Sequence, residues 1–133
     1  MEQIPVGKYR LGLRWVHLFA DPSTASGSVE LLPDDKGQTK VIVGIAGDWE
    51  EAVSTFLHEA YEAVFVDLNV RYKNSPSFCS ESSDYVFHMT HNEMSEAHDR
   101  IGGYVKDALP PFMTAYYAWH KKKKALDKKN KKK

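Results

Sequence analysis

A single cysteine, Cys79, is all the thiol chemistry this 133-residue chain possesses. One thiol closes no intrachain disulfide and builds no cysteine-based zinc site, so a reducing compartment, the cytoplasm, is the expected setting. Cys79 stands between Phe78 and Ser80 in a polar stretch and reads as an ordinary free thiol rather than a nucleophile. A long apolar run is missing as well. The apolar stretch at residues 11–20 is interrupted by Arg14 and His17, which suits neither a signal-peptide core nor a membrane span, so no membrane association is expected. Internal repeats are absent too. The length suffices for one domain with a single core, not for a second catalytic domain.

A net charge is also lacking, with 18 basic and 18 acidic side chains, but that balance conceals a segregation. Residues 121–133 carry nine lysines against one acid, Asp127, which leaves nine basic and seventeen acidic residues in 1–120. The body is acidic and the end is basic. So like-charged a stretch, poor in apolar residues, is expected to be a disordered tail beyond a single folded domain at 1–120. It lacks the interleaved aromatics that stack on bases, so nucleic-acid binding through it would be weak, electrostatic and non-specific. Capture of an acidic protein, docking on its own body, or plain solubilisation are its other readings.

What is present is patterned. Across residues 8–19, Tyr9, Leu11, Leu13, Trp15, His17 and Phe19 alternate with Arg10, Gly12 and Arg14, which predicts one half-buried first strand. Runs at 28–32 and 40–45 flank the turn-rich Pro33-Asp34-Asp35-Lys36-Gly37 and predict a hairpin. Asp48 is a good N-cap, with Glu51 in the capping-box position, so a helix is expected from Trp49. Its apolar stripe (Ala52, Val53, Phe56, Leu57, Ala60, Val64, Phe65, Leu68) carries it to about Tyr72, before Asn74, Ser75 and Pro76. A polar loop at 75–83 and a short edge strand at 85–90 follow. A second helix over 94–109 turns Ile101, Val105 and Leu109 inward, and close packing on the first helix would rationalise Gly102-Gly103. Pro110-Pro111 is expected to break the path, with Pro111 opening a final helix that bears Phe112, Met113, Ala115, Tyr116 and Trp119. Trp15, Trp49, Trp119, Tyr116 and Tyr117 read as packing residues rather than a base-stacking platform. The fold class expected is α+β, a small, mainly antiparallel sheet packed on two or three helices.

The first helix carries His58-Glu59-Ala60-Tyr61-Glu62. In H-E-x-x-H two histidines one turn apart hold a metal and the Glu serves as general base. Here the second histidine is missing and Glu62 stands in its place. A residue at i+4 returns to nearly the same face, so His58 and Glu62 can still converge on one ion, with Glu59 about 100° around the helix. The stretches at residues 49–64 and 92–103, with the hairpin before them, resemble the small zincin-like metallopeptidases found in bacteriophage genomes. The resemblance covers residues 28–109. It implies a minimal zincin-like domain in which His58 is the first ligand, Glu59 the general base and Glu62 the second ligand position, with Glu93 or Glu96 as the third. His91, like His88 and His98, is a further imidazole in the right part of the chain. Zinc or another divalent transition metal is the implied cofactor. Glu62 departs from the family pattern, because one His with two carboxylates makes a harder, more anionic and less Lewis-acidic site. The alternative without metal has His58 bonding Glu62 or a carboxylate of the second helix.

His88-Met89-Thr90 is half of a two-histidine phosphoesterase pattern, but His17-Leu18-Phe19 lacks the hydroxyl of the other half. Two functions therefore stand. One is a non-catalytic interaction or accessory protein on a degenerate zincin-like scaffold, phage-encoded and binding a host protein. The other is a metal-dependent, peptidase-like hydrolase using metal-activated water, for which Glu59 is the catalytic residue. The loss of a histidine that the chemistry needs favours the first.

Overall fold

The computed structural model describes residues 2–31, 37–73 and 85–131. The fold is α+β: a four-stranded mixed sheet with two helices on one face. The alternation at 8–19 belongs to two strands, β1 (Ile4–Leu11) and β2 (Arg14–Asp21), joined by a tight turn in which Gly12 adopts φ +62°. That turn sets Leu11 opposite Arg14 and so reverses the parity of the buried positions. Tyr9 and Leu11 point to the helices, yet on β2 it is Val16, Leu18 and Ala20 that are buried. Trp15, His17 and Phe19 point the other way. The expectation of one strand with Trp15 in the core is thus corrected. An unbroken period of two passes through a two-residue turn without leaving a mark in the sequence.

The expected hairpin is present as β3 (Gly27–Leu31) paired antiparallel with β4 (Gln38–Gly44), while its turn at 32–36 lies outside the described residues. β4 also pairs in parallel with β2, giving the order β1-β2-β4-β3. Helix α1 (Trp49–Asp67) begins as expected, with the Asp48 carboxylate accepting from the Glu51 N–H at 2.8 Å. It ends five residues earlier than the apolar stripe suggests. Asn69 takes a left-handed φ of +56° and Val70 N–H turns back to Phe65 O at 3.1 Å, closing the helix before a short strand β5 (Arg71–Lys73). Among the described residues β5 pairs only with β6 (Tyr85–Phe87), in a two-stranded sheet of its own. The polar loop at 75–83, Cys79 included, lies outside the described residues.

Helix α2 (His91–Lys131) is one element where two helices and a tail are expected. Pro110 and Pro111 remove two intrahelical donors, leaving the carbonyls of Lys106 and Asp107 without them; both residues lie on the exposed side. On the opposite side Tyr104, Ala108 and Phe112 are fully buried, so tertiary packing before and after the prolines holds the path. Gly102 and Gly103 are not a packing seam either: both are exposed, and an added Cβ would meet no atom within 4 Å. Alanine at each position is therefore expected to stabilise the protein by about 0.8–1 kcal/mol, read from urea unfolding, and a loss of stability would contradict the exposed placement. Past residue 120 the helix continues to Lys131 with every residue exposed, not structureless as the composition leads one to expect. Lysine, alanine and leucine are good helix formers, the packed first part removes the nucleation cost, and lysines in the last turn complement the helix dipole.

One core joins these layers. Val16, Leu18, Val41 and Val43 of the sheet meet Ala52, Phe56, Ala60 and Val64 of α1 and Ile101, Tyr104 and Phe112 of α2. Val105 and Leu109 sit at its margin. Tyr116 hooks α2 to the β4–α1 junction by donating to Gly47 O at 2.8 Å, and His120 Nε2 lies 2.7 Å from Ile45 O. No described helix covers the other face of the sheet, and none is long and apolar enough to cross a membrane.

Candidate functional site

Helix α1 lies against β3 and β4, and that contact fixes the environment of Glu59. Glu59 is one of two buried polar residues among those described, at 8% exposure. It occupies the inward line Ala52-Phe56-Glu59-Ala63, whose spacing of four, three and four is that of a helix face turned to the core. β3 passes so close that a Cβ on Gly27 would lie 2.9 Å from Glu59 Cγ and 2.8 Å from Thr55 Cγ2. Only glycine lets the strand approach α1 there. Thr55 donates to Ala25 O at 3.2 Å and holds the preceding loop on the helix. Ser26, Gly27, Ser54, Thr55, His58 and Glu59 together line an open cleft between loop and helix.

Burial pushes the Glu59 carboxyl above its ordinary value; the neighbouring His58 pulls it down and Glu62 pushes it up further. With its folded value raised, the native state binds this proton more tightly than the unfolded chain does. The associated stability is present below the ordinary glutamate range and is lost as pH rises through the folded value. Glu59→Gln is therefore expected to be more stable than wild type at neutral pH, with the difference opening as pH climbs from the ordinary carboxyl range. Urea unfolding from pH 4 to pH 8 checks this, and a constant difference would contradict it.

His58 and Glu62 share a face, as their spacing predicts. His58 Nε2 stands 3.7 Å from Glu62 Oε1, with side-chain exposures of 67% and 25%. The other predicted ligands are not brought to them. Glu93 forms a capping box at the start of α2: its Oε1 accepts from Thr90 N–H at 2.9 Å while Thr90 Oγ1 accepts from Glu93 N–H at 3.2 Å. The T-x-x-E pattern at Thr90 to Glu93 was the sequence signal for that helix start. Glu96 accepts from Arg100 Nε at 3.0 Å, one turn along the exposed side of α2. His91 is the exposed first residue of α2, and His98 stands edge-on to the Tyr61 ring at 6.1 Å. Among the described residues no three His, Cys, Asp or Glu side chains are grouped so that they could hold a metal ion. The donor set as arranged does not fit a three-ligand centre.

No protein-family model, no curated protein and no solved structure matches this chain. The geometry alone therefore bears on what the site does.

A second polar cluster is a clasp rather than a site. Arg14, turned inward by the parity reversal, donates from Nε to Asp67 Oδ2 at 2.7 Å, from its second terminal nitrogen to Asp67 Oδ1, and from the first to Thr39 Oγ1 at 2.9 Å. Asp67 is the last residue of α1 and Thr39 is fully buried on β4, so one guanidinium ties the β1–β2 turn, the central strand and the helix end together. Asp67 holds the Arg14 pKa above its ordinary value. Read as an outward strand residue, Arg14 gave no sign of this role.

Proposed function

We propose that the chain is a non-catalytic interaction protein on a degenerate zincin-like scaffold, and that it engages an acidic protein partner through the end of α2. The observation that carries this is the exposed helical stretch 121–131, which displays seven lysines against one aspartate. Eleven helical residues extend over about 16 Å, a preformed basic rod on an otherwise acidic body. The dispersal of the acidic donors supports the same reading: Glu93 and Glu96 are engaged by Thr90 and Arg100 rather than turned toward His58. Phage origin and a host protein as partner belong to the same proposal.

The test is capture by the immobilised full chain from nuclease-treated extract, compared with a variant carrying Lys121, Lys122, Lys123 and Lys124 as Gln. A partner retained by wild type and Glu59→Gln, released by high salt and missed by the lysine variant is expected, because exposed charge pairs are screened. Capture indifferent to those lysines would contradict the proposal.

One observation favours the second reading, a hydrolase. Glu59 is a buried carboxyl with a raised pKa beside an exposed imidazole in a cleft, the combination expected of a general acid or base. For a metal to join it, Glu93 or Glu96 would have to leave its present partner.

A further inference from the structure

The face of the sheet that no described helix covers differs in chemistry from the rest of the body. Trp15, His17 and Phe19 project from it at alternate positions of the inner strand β2. Alternate residues of a strand stand about 6.7 Å apart, roughly twice the 3.4 Å rise of stacked bases. Three flat rings therefore form a ladder on which bases of an extended strand can rest one per ring. Trp15 is 37% exposed, and the His17 ring is held by a 2.6 Å contact between its Nε2 and Gln38 Oε1.

Cations flank the ladder on both sides. Arg10 pairs with Trp15 across the β1–β2 register, and Lys8 and Lys40 lie opposite His17 on the two neighbouring strands. Lys8 Nζ and Arg10 Cζ lie over the Trp15 ring, 5.1 and 5.0 Å from its centroid, and Lys40 Nζ lies over the Phe19 ring at 4.9 Å, so a stacking base would displace these flexible cations from the ring faces toward its phosphates. Three of the nine basic residues in 1–120 thus gather here, on a body with seventeen acids. Among the described residues of the sheet, two acids share this face: Glu30, opposite Lys40 on the edge strand, and Asp21, whose carboxylate accepts from Ser23 N–H at 2.9 Å.

We propose that this face binds single-stranded nucleic acid, with Trp15, His17 and Phe19 as stacking platforms and Lys8, Arg10 and Lys40 as phosphate contacts. Stacking on exposed aromatics combined with a cationic surround is how single strands are held without sequence preference. A duplex hides its base faces and gains only the charges. An acidic peptide would use the cations and leave the rings without a role. A second copy packed face to face would set Lys8, Arg10 and Lys40 against their own counterparts. The inference is independent of the partner proposed for the lysines of α2, which lie on the other layer.

The experiment uses the full chain and a fluorescein-labelled 20-nucleotide oligothymidine, with tryptophan emission and anisotropy as readouts. Wild type should bind the single strand with quenching of tryptophan emission, and more tightly than the matching duplex. The variant Trp15→Ala with Phe19→Ala should bind at least tenfold more weakly. Lys8→Glu with Lys40→Glu, one exposed and one half-buried change checked for folding by circular dichroism, should weaken binding and flatten its salt dependence. Quenching should persist when Lys121 to Lys124 are glutamine, which separates this face from the basic helix end. Equal affinity for duplex, unchanged binding by the folded ring variant, or displacement of the single strand by oligoglutamate at equal charge would each overturn the proposal.

Discussion

Phe56→Ala is expected to destabilise the protein by about 3–5 kcal/mol, the range for removing a buried phenylalanine. Phe56 is 1% exposed and is the point where α1 meets α2. Its ring stacks on Tyr104 at 5.2 Å with 14° between planes, and stands 5.4 Å from Phe112. Alanine would forfeit the transfer free energy of the ring and both aromatic contacts, and would leave a cavity between two helices that the sheet prevents from closing up. With a total stability of about 5–15 kcal/mol for a domain of ordinary kind, much of the reserve would go. Urea unfolding followed by circular dichroism measures it. A loss below about 1 kcal/mol would mean that α1 and α2 do not share one core.

The second large effect falls on a glycine. A Cβ on Gly44 would overlap the carbonyl oxygens of Thr24 and Ser26 and lie 2.7 Å from the carbonyl carbon of Ala25. These are backbone atoms, already drawn in by Gly44 N–H to Ser26 O at 2.8 Å and Ala46 N–H to Thr24 O at 3.0 Å. No side chain can swing away, so the loop must move as a whole and take one wall of the Glu59 cleft with it. Gly44→Ala should cost about 3 kcal/mol, the upper part of the usual overpacking range. The same substitution at Gly102 should stabilise, so the two alanines are expected to differ in sign. Stabilisation at both would show that helix and strand propensity, not contact, governs these positions.

Local chemistry in the sequence announced local structure well. Asp48 with Glu51 marked the start of α1, and the turn-rich 33–37 marked the β3–β4 hairpin. Features that depend on contacts between distant residues were not legible. Parallel pairing of β2 with β4 leaves no trace in either strand alone. The Gly12-Leu13 turn interrupts a pattern without disturbing its period, and that one event turned Arg14 inward and Trp15 outward. Pro110-Pro111 reads as a break because propensity is local, whereas burial of Ala108 and Phe112 overrides it. In the site, the shared face of His58 and Glu62 followed from their spacing. The burial of Glu59 was available from its distance of three to Phe56 and four to Ala63, but the motif drew attention to the ligand positions instead. Nothing in the sequence tied Glu93 to Thr90 except the capping-box spacing, which carried the structural answer and not the catalytic one.

The most direct measurement is the metal content of the purified full chain by plasma mass spectrometry, beside His58→Ala dialysed identically. A non-catalytic protein with His58, Glu59 and Glu62 as a metal-free cluster predicts the same substoichiometric trace in both. A near-stoichiometric transition metal in wild type that vanishes in His58→Ala would contradict it, establish a metal site there, and call for a peptidase screen with Glu59→Gln as the control.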